Sequence, residues 1–189
     1  MDRPVIEVEI DESCLSRAEE VLETLPIFKG SHRGLAANQV GVLGEVVVRK
    51  ELQLRGVEPS PIFSTSHDFE IGSGKRVEIK TKDRTVPPRM DYECSVPLYN
   101  HSHQDVDYYV FVSLLRDKSR IDLELNRFQR AFVVGVCNRK MLEELGETRE
   151  SGETDPRNGT TFWTSCRNIY IRDLVTLDWA TNRWKNVIE

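Results

Sequence analysis

The chain has 189 residues, of which 39% are hydrophobic and 30% charged, a balance that predicts one folded domain and excludes a largely disordered chain. It contains neither an apolar run long enough to span a bilayer nor a recognisable signal peptide, so we expect a cytoplasmic protein without a membrane partner. The formal net charge of −5 argues against a general nucleic-acid binder, but the basic segments 28–34, 74–84 and 182–185 are compatible with one basic face.

The N-terminal segment predicts a strand followed by a capped helix. Residues 5–11, VIEVEID, alternate between apolar and polar side chains, as a half-buried strand does. Residues 11–25 then carry apolar side chains at helical spacing. This helix begins at Asp11 or Ser13, either of which can cap it, and it stops before Pro26.

A second helix is predicted for residues 35–54. Its run EVVV favours a strand, but apolar residues recur at helical spacing and single glycines are the only turn signals in the segment. Those glycines, Gly41 and Gly44, would allow the helix to pack closely against a sheet. The sequence GVEPSP then ends the helix.

A β-hairpin is predicted for residues 61–82, where two alternating runs flank the turn residues Gly72-Ser73-Gly74. Residues 83–106 contain three prolines, and we expect them to form a long loop with a use of its own. The run DYYVFVSLL, residues 107–115, is almost continuously apolar and is typical of a buried central strand.

The C-terminal part predicts further strands around one short helix. RFQRAFVVGVC reads as a strand, and NRKMLEELGE as a short helix that ends near Gly146. Residues 148–160 are expected to form an exposed loop, FWTSCRNIYI is strand-like, and residues 172–189 show a mixed or irregular pattern.

This order of elements predicts the fold class. Helices followed by strands with helices between them indicate an α/β domain with a mixed central sheet flanked by helices. Within the one domain we divide the chain into an N-terminal helical extension, residues 1–34, a core, residues 35–145, and a C-terminal strand and tail, residues 146–189.

Three charged side chains of the hairpin are expected to gather on one face of the sheet. Glu78 and Lys80 are two residues apart on a strand, so they share a face. A two-residue turn would place Asp68 opposite Ile79, on the wrong face. A three-residue loop would instead pair Asp68 with Glu78, and a five-residue loop would pair it with Lys80. Either odd-numbered loop brings the three side chains together.

Two carboxylates beside a lysine suit the hydrolysis of a phosphodiester bond. Carboxylates a few ångströms apart either raise the pKa of one of them or bind a metal ion. Mg²⁺ prefers oxygen ligands, often one or two carboxylates with water and substrate phosphate. A bound metal ion can activate water and shield phosphate charge, and a neighbouring lysine can stabilise the developing negative charge.

These residues resemble a known family. Glu45 in a helix, Asp68 on a strand and the sequence VEIK, with Glu78 and Lys80, are similar to the motif of the PD-(D/E)XK, or restriction-endonuclease-like, nucleases over residues 35–115. The resemblance implies a core in which one helix precedes a three-strand meander, followed by a helix and a further strand. It also implies cleavage of DNA, less often of RNA, which leaves a 5′-phosphate. This cleavage requires Mg²⁺, for which Mn²⁺ can substitute.

The resemblance also assigns a role to each residue of the motif. Asp68 and Glu78 would hold the metal ion, and Ile79 would be the variable position of the motif, whose backbone carbonyl we add as a candidate further ligand. Lys80 would be the catalytic lysine, and Glu45 the helical acid that completes the site through metal or water. These four side chains and one carbonyl are the predicted catalytic and metal-binding set.

Other parts of the predicted function depend on fewer residues. Arg33, in the loop before the second helix, and Lys82, on the face of Lys80, are candidate contacts to DNA phosphates. His67 stands where the family's name has a proline, which many members lack. A homodimer would supply two sites for the two strands of a duplex, and endonuclease, exonuclease and junction-resolving activities all remain open. The alternative function is a fold relative that binds nucleic acid or a partner protein without cutting.

Overall fold

Two β-sheets and a set of helices make up the computed structural model, which describes residues 5–24, 34–62, 66–72, 74–99, 105–155 and 159–186. The helices are α1 (Glu12–Thr24), α2 (Gly34–Leu54), α3 (Arg139–Leu145) and α4 (Leu177–Lys185). The strands are β1 (Ile6–Glu9), β2 (Ser60–Pro61), β3 (Phe69–Ile71), β4 (Lys75–Arg84), β5 (Glu93–Pro97), β6 (Tyr108–Arg116), β7 (Phe128–Asn138), β8 (Glu147–Arg149) and β9 (Cys166–Tyr170). None of the helices in these ranges combines the length and apolarity needed to cross a bilayer.

The larger sheet has six strands in the order β1-β7-β6-β4-β3-β2. Strands β4 and β6 are parallel, and the other neighbouring strands are antiparallel. The predicted mixed sheet is therefore confirmed, and so are both predicted N-terminal helices. Strand β6 lies inside the sheet, where Val110 and Leu114 are fully buried, as its apolar run predicts.

The smaller sheet corrects the prediction of a long loop at residues 83–106. Strand β5 lies within that segment and pairs antiparallel with β9, and β9 pairs with β8. The loop predicted for residues 148–160 likewise begins after Arg149, the last residue of β8. The C-terminal region, which looked mixed or irregular, contains helix α4, which begins after a capping bond from Trp179 N–H to Thr176 Oγ1.

The larger sheet is buried on both faces. Helices α1, α2 and α4 cover one face, on which Val110 and Val112 of β6 lie. The smaller sheet and α3 cover the other face, on which Tyr109 and Phe111 lie. Burial on both faces explains why β6 is continuously apolar rather than alternating.

Helix α1 begins as predicted, with Asp11 as its cap. The Oδ1 atom of Asp11 accepts hydrogen bonds from the Cys14 N–H at 2.9 Å and from the Ser13 hydroxyl at 2.7 Å. The ammonium of Lys50, on α2, lies 2.7 Å from Oδ2 of the same carboxylate and helps to lower the pKa of Asp11 below its ordinary value. One carboxylate therefore caps α1 and joins it to α2.

Helix α2 approaches β4 most closely at Gly44. A Cβ atom at this position would clash with Oγ1 of Thr81 and lie 2.9 Å from its Cβ, whereas a Cβ at Gly41 would meet nothing within 4 Å. Close packing against the sheet therefore explains one of the two glycines. It also matters for the site described below, because Glu45 is the next residue of the helix.

The two glycines should respond to alanine in opposite ways. We expect Gly41→Ala to raise the free energy of unfolding by about 1 kcal/mol, since alanine favours a helix. Gly44→Ala should lower it by about 1–2 kcal/mol, because overpacking outweighs the same gain in propensity. Denaturant unfolding of both variants measures the difference, and an equal stabilisation by both would contradict the proposed packing.

Candidate functional site

The turn of the hairpin sets the position of the predicted site. Strands β3 and β4 are in register with Ile71 opposite Lys75, which leaves a three-residue loop, residues 72–74. Gly74 has a φ of 82°, the left-handed conformation that such a loop requires. The first of the two odd-numbered loops is therefore confirmed, and the two-residue turn and the five-residue loop are excluded.

This register brings the predicted motif together. Asp68 comes directly before β3, and extending the register by one residue places it opposite Glu78. Its N–H donates to the Val77 carbonyl at 3.1 Å, and its Oδ2 accepts a hydrogen bond from the Ile79 N–H at 2.7 Å. The ammonium of Lys80 donates to Oε1 of Glu78 at 2.6 Å.

Burial and like charge raise the pKa values of two carboxylates in this cluster. Burial, then the charges of Glu78 and Glu45, raise the pKa of Asp68 well above its ordinary value, against the opposing effects of the Ile79 N–H and Lys80. Burial, followed by the charge of Glu78, raises the pKa of Glu45 to about 7. Glu45 of α2 therefore lies within electrostatic range of Asp68 and Glu78, as the sequence predicts.

The cluster holds more negative charge than its own cation can balance. Glu45, Asp68 and Glu78 face the single ammonium of Lys80, and only 8% of the Glu78 side chain and 16% of the Lys80 side chain are exposed. Buried carboxylates without enough positive charge favour either protonation or a bound cation. Their oxygen atoms are the ligands that Mg²⁺ and Mn²⁺ prefer, so the donor set fits such an ion.

The carboxylates are not arranged as a ready-made set of three ligands. Within the described ranges, no group of three or more His, Cys, Asp or Glu side chains converges on one point. Lys80 occupies one oxygen of Glu78, and the Ile79 N–H occupies one oxygen of Asp68. Two carboxylates, with backbone and water, are nevertheless enough to hold Mg²⁺.

One residue that sequence reasoning missed lies beside the cluster, and a second lies beyond it. Tyr109 of β6 is opposite Glu78 in the parallel pair, and burial raises its pKa to about 12. The Glu78 charge adds to this shift and the Arg139 charge opposes it, so both lie near the Tyr109 hydroxyl. Tyr109 is part of an apolar run and Arg139 opens α3, so no local pattern marked either of them.

Lys82, one of the two predicted phosphate contacts, bonds to the smaller sheet. The ammonium of Lys82 donates to the Glu93 carbonyl and to the Ser95 hydroxyl, each at 2.9 Å, and burial lowers its pKa. Lys82 thus joins the larger sheet to β5, and its contact with DNA stays a prediction. Arg33 lies outside the described residues.

His67, at the position of the family's proline, is buried next to Asp68. Its Nδ1 is 2.8 Å from the Ser66 hydroxyl, and its Nε2 is 3.4 Å from Oε1 of Glu70. The side chain therefore packs within the hairpin end rather than joining the carboxylate cluster.

The raised pKa of Glu45 predicts how stability depends on pH. A carboxylate with a raised pKa in the folded state destabilises the fold at high pH, where it must be charged, and has no effect well below its unfolded-state pKa. Without metal, Glu45→Gln should therefore raise the free energy of unfolding by about 1–3 kcal/mol near pH 8 and change it little near pH 4. We also expect it to reduce activity.

Denaturant unfolding across this pH range, in a chelator, tests that expectation. Glu51→Gln is a matched control in the same helix, because its carboxylate forms an ion pair with Arg55 at 2.6 Å rather than joining the cluster. We expect no gain in stability from the control. If Glu45→Gln changes the free energy of unfolding by the same amount at every pH, Glu45 does not belong to the cluster.

The cluster thus combines three carboxylates and a lysine from α2, the residue before β3, and β4. Such a set can hold a divalent cation, orient water and stabilise negative charge on a phosphate. Comparison with models of protein families found no match, and a search of curated proteins found none either.

Proposed function

We propose that the protein is a cytoplasmic, metal-dependent nuclease that hydrolyses phosphodiester bonds of DNA. The observation that carries the proposal is the buried cluster in which Asp68, Glu78 and Lys80 meet Glu45 from a separate helix. A solvated surface hairpin would leave these charges exposed and independent of one another. The burial of the cluster, together with the raised pKa values of Asp68 and Glu45, is typical of functional sites.

The order of elements supports a restriction-endonuclease-like core. Helix α2 precedes the antiparallel meander β2–β3–β4, and β6 then lies parallel to β4. The resemblance implies this sequence of helix, meander and further strand. It also implies a helix in the connection, where residues 98 and 99 are helical.

Asp68 and Glu78 would hold Mg²⁺ or Mn²⁺ in this proposal. The carbonyl of Ile79 is a third candidate ligand, because it points to the same side of β4 as the Ile79 N–H, which bonds Asp68. When bound, the ion would shield phosphate charge and lower the pKa of water. Since the ligands must be deprotonated and the pKa of Asp68 is raised, metal affinity should rise with pH.

Lys80 and Glu45 would act on the water and the phosphate. The ammonium of Lys80 donates a hydrogen bond to Glu78 at 2.6 Å, which places it beside the proposed ligand set. From there it can donate a hydrogen bond to the attacking water or to a phosphate oxygen and stabilise the developing negative charge. Glu45, with a pKa of about 7, can accept a proton from water near neutral pH.

Arg139 adds a positive charge on the far side of Tyr109 from Glu78. Its side chain is 42% exposed and pairs with Glu143 at 3.1 Å, so it can reach solvent and a substrate phosphate. A homodimer, which would bring two sites to the two strands of a duplex, stays part of the proposal.

The second candidate function is binding without cleavage, and the net charge of −5 favours it. Melting with and without divalent cations separates the two functions. Ligand linkage predicts that Mg²⁺ and Mn²⁺ raise the melting temperature of a nuclease with a real metal site. We expect this rise in the wild type, and we expect its loss in Glu78→Gln. If Na⁺ at equal ionic strength raises the melting temperature of the wild type by the same amount, the result would contradict the nuclease function.

A further inference from the structure

An exposed tryptophan lies on the hairpin between β8 and β9, of which residues 150–155 and 159–165 are described. The Trp163 side chain is 85% exposed, and among the large apolar side chains of the described ranges only Ile121 is more exposed. The two arms of the hairpin are joined by hydrogen bonds from the Gly152 N–H to the Phe162 carbonyl at 2.8 Å and from the Ser151 hydroxyl to the Trp163 carbonyl at 3.1 Å. The backbone that carries the indole is therefore held in place by hydrogen bonds.

This hairpin extends from one end of the smaller sheet. The pairing of β5 with β9 continues past Pro97 and Cys166 through a hydrogen bond from Leu98 N–H to the Ser165 carbonyl at 2.9 Å. Trp163 follows two residues farther along the same direction. It consequently lies at the end of the smaller sheet where β5 finishes.

The same end of the molecule carries the carboxylate cluster. Arg84 of β4 donates to the Glu93 carbonyl at 3.3 Å, and Lys82 donates to the Ser95 hydroxyl at 2.9 Å, so β5 runs back along β4 toward its beginning. Glu78 lies four residues before Lys82. At the strand rise per residue, Glu78 lies about 13 Å from Lys82 along β4, whereas the chain advances by about 7 Å from Ser95 to the end of β5 and continues in the same direction at Leu98.

We propose that Trp163 is a stacking site for an unpaired base, so that the substrate of this nuclease is single-stranded nucleic acid or a single-stranded part of a duplex. The inference rests on the proposed function for its identification of a nucleic acid. An unpaired base offers its π-face to an indole, whereas a base within a duplex is covered by its neighbours. A base on Trp163 would let the strand run toward Lys80 and the carboxylates.

The charges around Trp163 do not attract phosphate, so the proposed contact depends on the ring surface alone. The hairpin carries Glu150 and Glu153, whose carboxylates bond within the hairpin or with Arg149. Because these acidic residues repel phosphates, the hairpin cannot bind the sugar-phosphate backbone of a nucleic acid through charge. Stacking is driven by a neutral ring surface and tolerates any base sequence.

Intrinsic fluorescence of the wild type in a chelator, where no cleavage occurs, tests the inference directly. The probe is an oligothymidylate of about 16 nucleotides, with a duplex of equal length as the comparison. We expect the oligothymidylate to quench tryptophan fluorescence and to bind more tightly than the duplex. Trp163→Ala should weaken this binding by about 5- to 150-fold and abolish the quenching, and Trp163→Tyr should retain most of the affinity.

Trp179 provides the matched control. It is 47% exposed on α4, on the helical side of the larger sheet, where its ring contacts Arg183 at 4.4 Å. Trp179→Ala should leave the affinity for the oligothymidylate unchanged. Equal losses in Trp163→Ala and Trp179→Ala would overturn the stacking site.

The outcomes separate this inference from the proposed nuclease function. If the wild type cleaves DNA with Mg²⁺ but Trp163→Ala binds the oligothymidylate as well as the wild type, the stacking site is wrong and the nuclease stands. If the wild type binds through Trp163 but cleaves nothing, the stacking site stands and the nuclease is wrong. An oligothymidylate that neither binds nor quenches overturns the stacking site and leaves Trp163 as a contact for a protein partner.

Discussion

Replacing Lys80 with alanine will reduce the cleavage rate by about 10²- to 10³-fold and leave metal binding intact. The substitution removes the ammonium that lies 2.6 Å from Glu78 Oε1, but it keeps both proposed carboxylate ligands. It also leaves the buried Glu78 without its ion pair, so the variant should be less stable without metal. Mg²⁺ should therefore raise its melting temperature by at least as much as it raises that of the wild type.

Single-turnover cleavage and metal-dependent melting of the same variant measure these effects. Lys75→Ala is the control, since Lys75 begins the same strand but its side chain is 45% exposed and pairs with Asp107 at 3.4 Å. Its cleavage rate should stay within about twofold of the wild type. A Lys80→Ala variant that cleaves at the wild-type rate would show that Lys80 has no catalytic role.

Replacing Asp68 with asparagine will separate stability from activity. Without metal, the variant should be more stable than the wild type at high pH, because asparagine removes a buried charge and can still accept the hydrogen bond from Ile79 N–H. Cleavage should fall by about 10³-fold or more, and Mg²⁺ should no longer raise the melting temperature, since a proposed ligand is gone.

The sign of the stability effect follows from the raised pKa of Asp68. The folded wild type disfavours the charged carboxylate, so its penalty is present above the folded-state pKa and disappears as the pH falls below the unfolded-state pKa. The advantage of Asp68→Asn should therefore grow as pH rises. Melting curves across pH in a chelator test this, and a variant that is less stable than the wild type at every pH contradicts the account.

The local part of the site could be predicted because it is short and because turn chemistry fixes its register. Asp68, Glu78 and Lys80 fall within 13 residues, and the glycine at position 74 favours the loop that pairs the first two. Periodicity likewise identified α2 despite its β-branched run. The approach of Glu45 to the other carboxylates depends on the close packing of α2 against β4 at Gly44, which a single sequence only suggests.

The smaller sheet could not be predicted because its pairing is not local. Strand β5 is short, ends at Pro97 and pairs with β9, about 70 residues later in the chain, so no alternating pattern or hairpin turn marks it. The bonds of Lys82 could not be predicted for the same reason. Its face was predictable from β4, but its bonds to Glu93 and Ser95 required knowledge of where β5 lies.

We propose that the carboxylate cluster, with a divalent cation, hydrolyses phosphodiester bonds. The most direct measurement is cleavage of supercoiled, linear, single-stranded and branched DNA, and of RNA, by wild type and Asp68→Asn, each with Mg²⁺, with Mn²⁺ and with a chelator. We expect the wild type to cut at least one DNA form with Mg²⁺ or Mn²⁺, and we expect both the chelator and Asp68→Asn to abolish cutting. A wild type that cuts none of these substrates with either ion, or an Asp68→Asn variant that cuts as fast as the wild type, would contradict it.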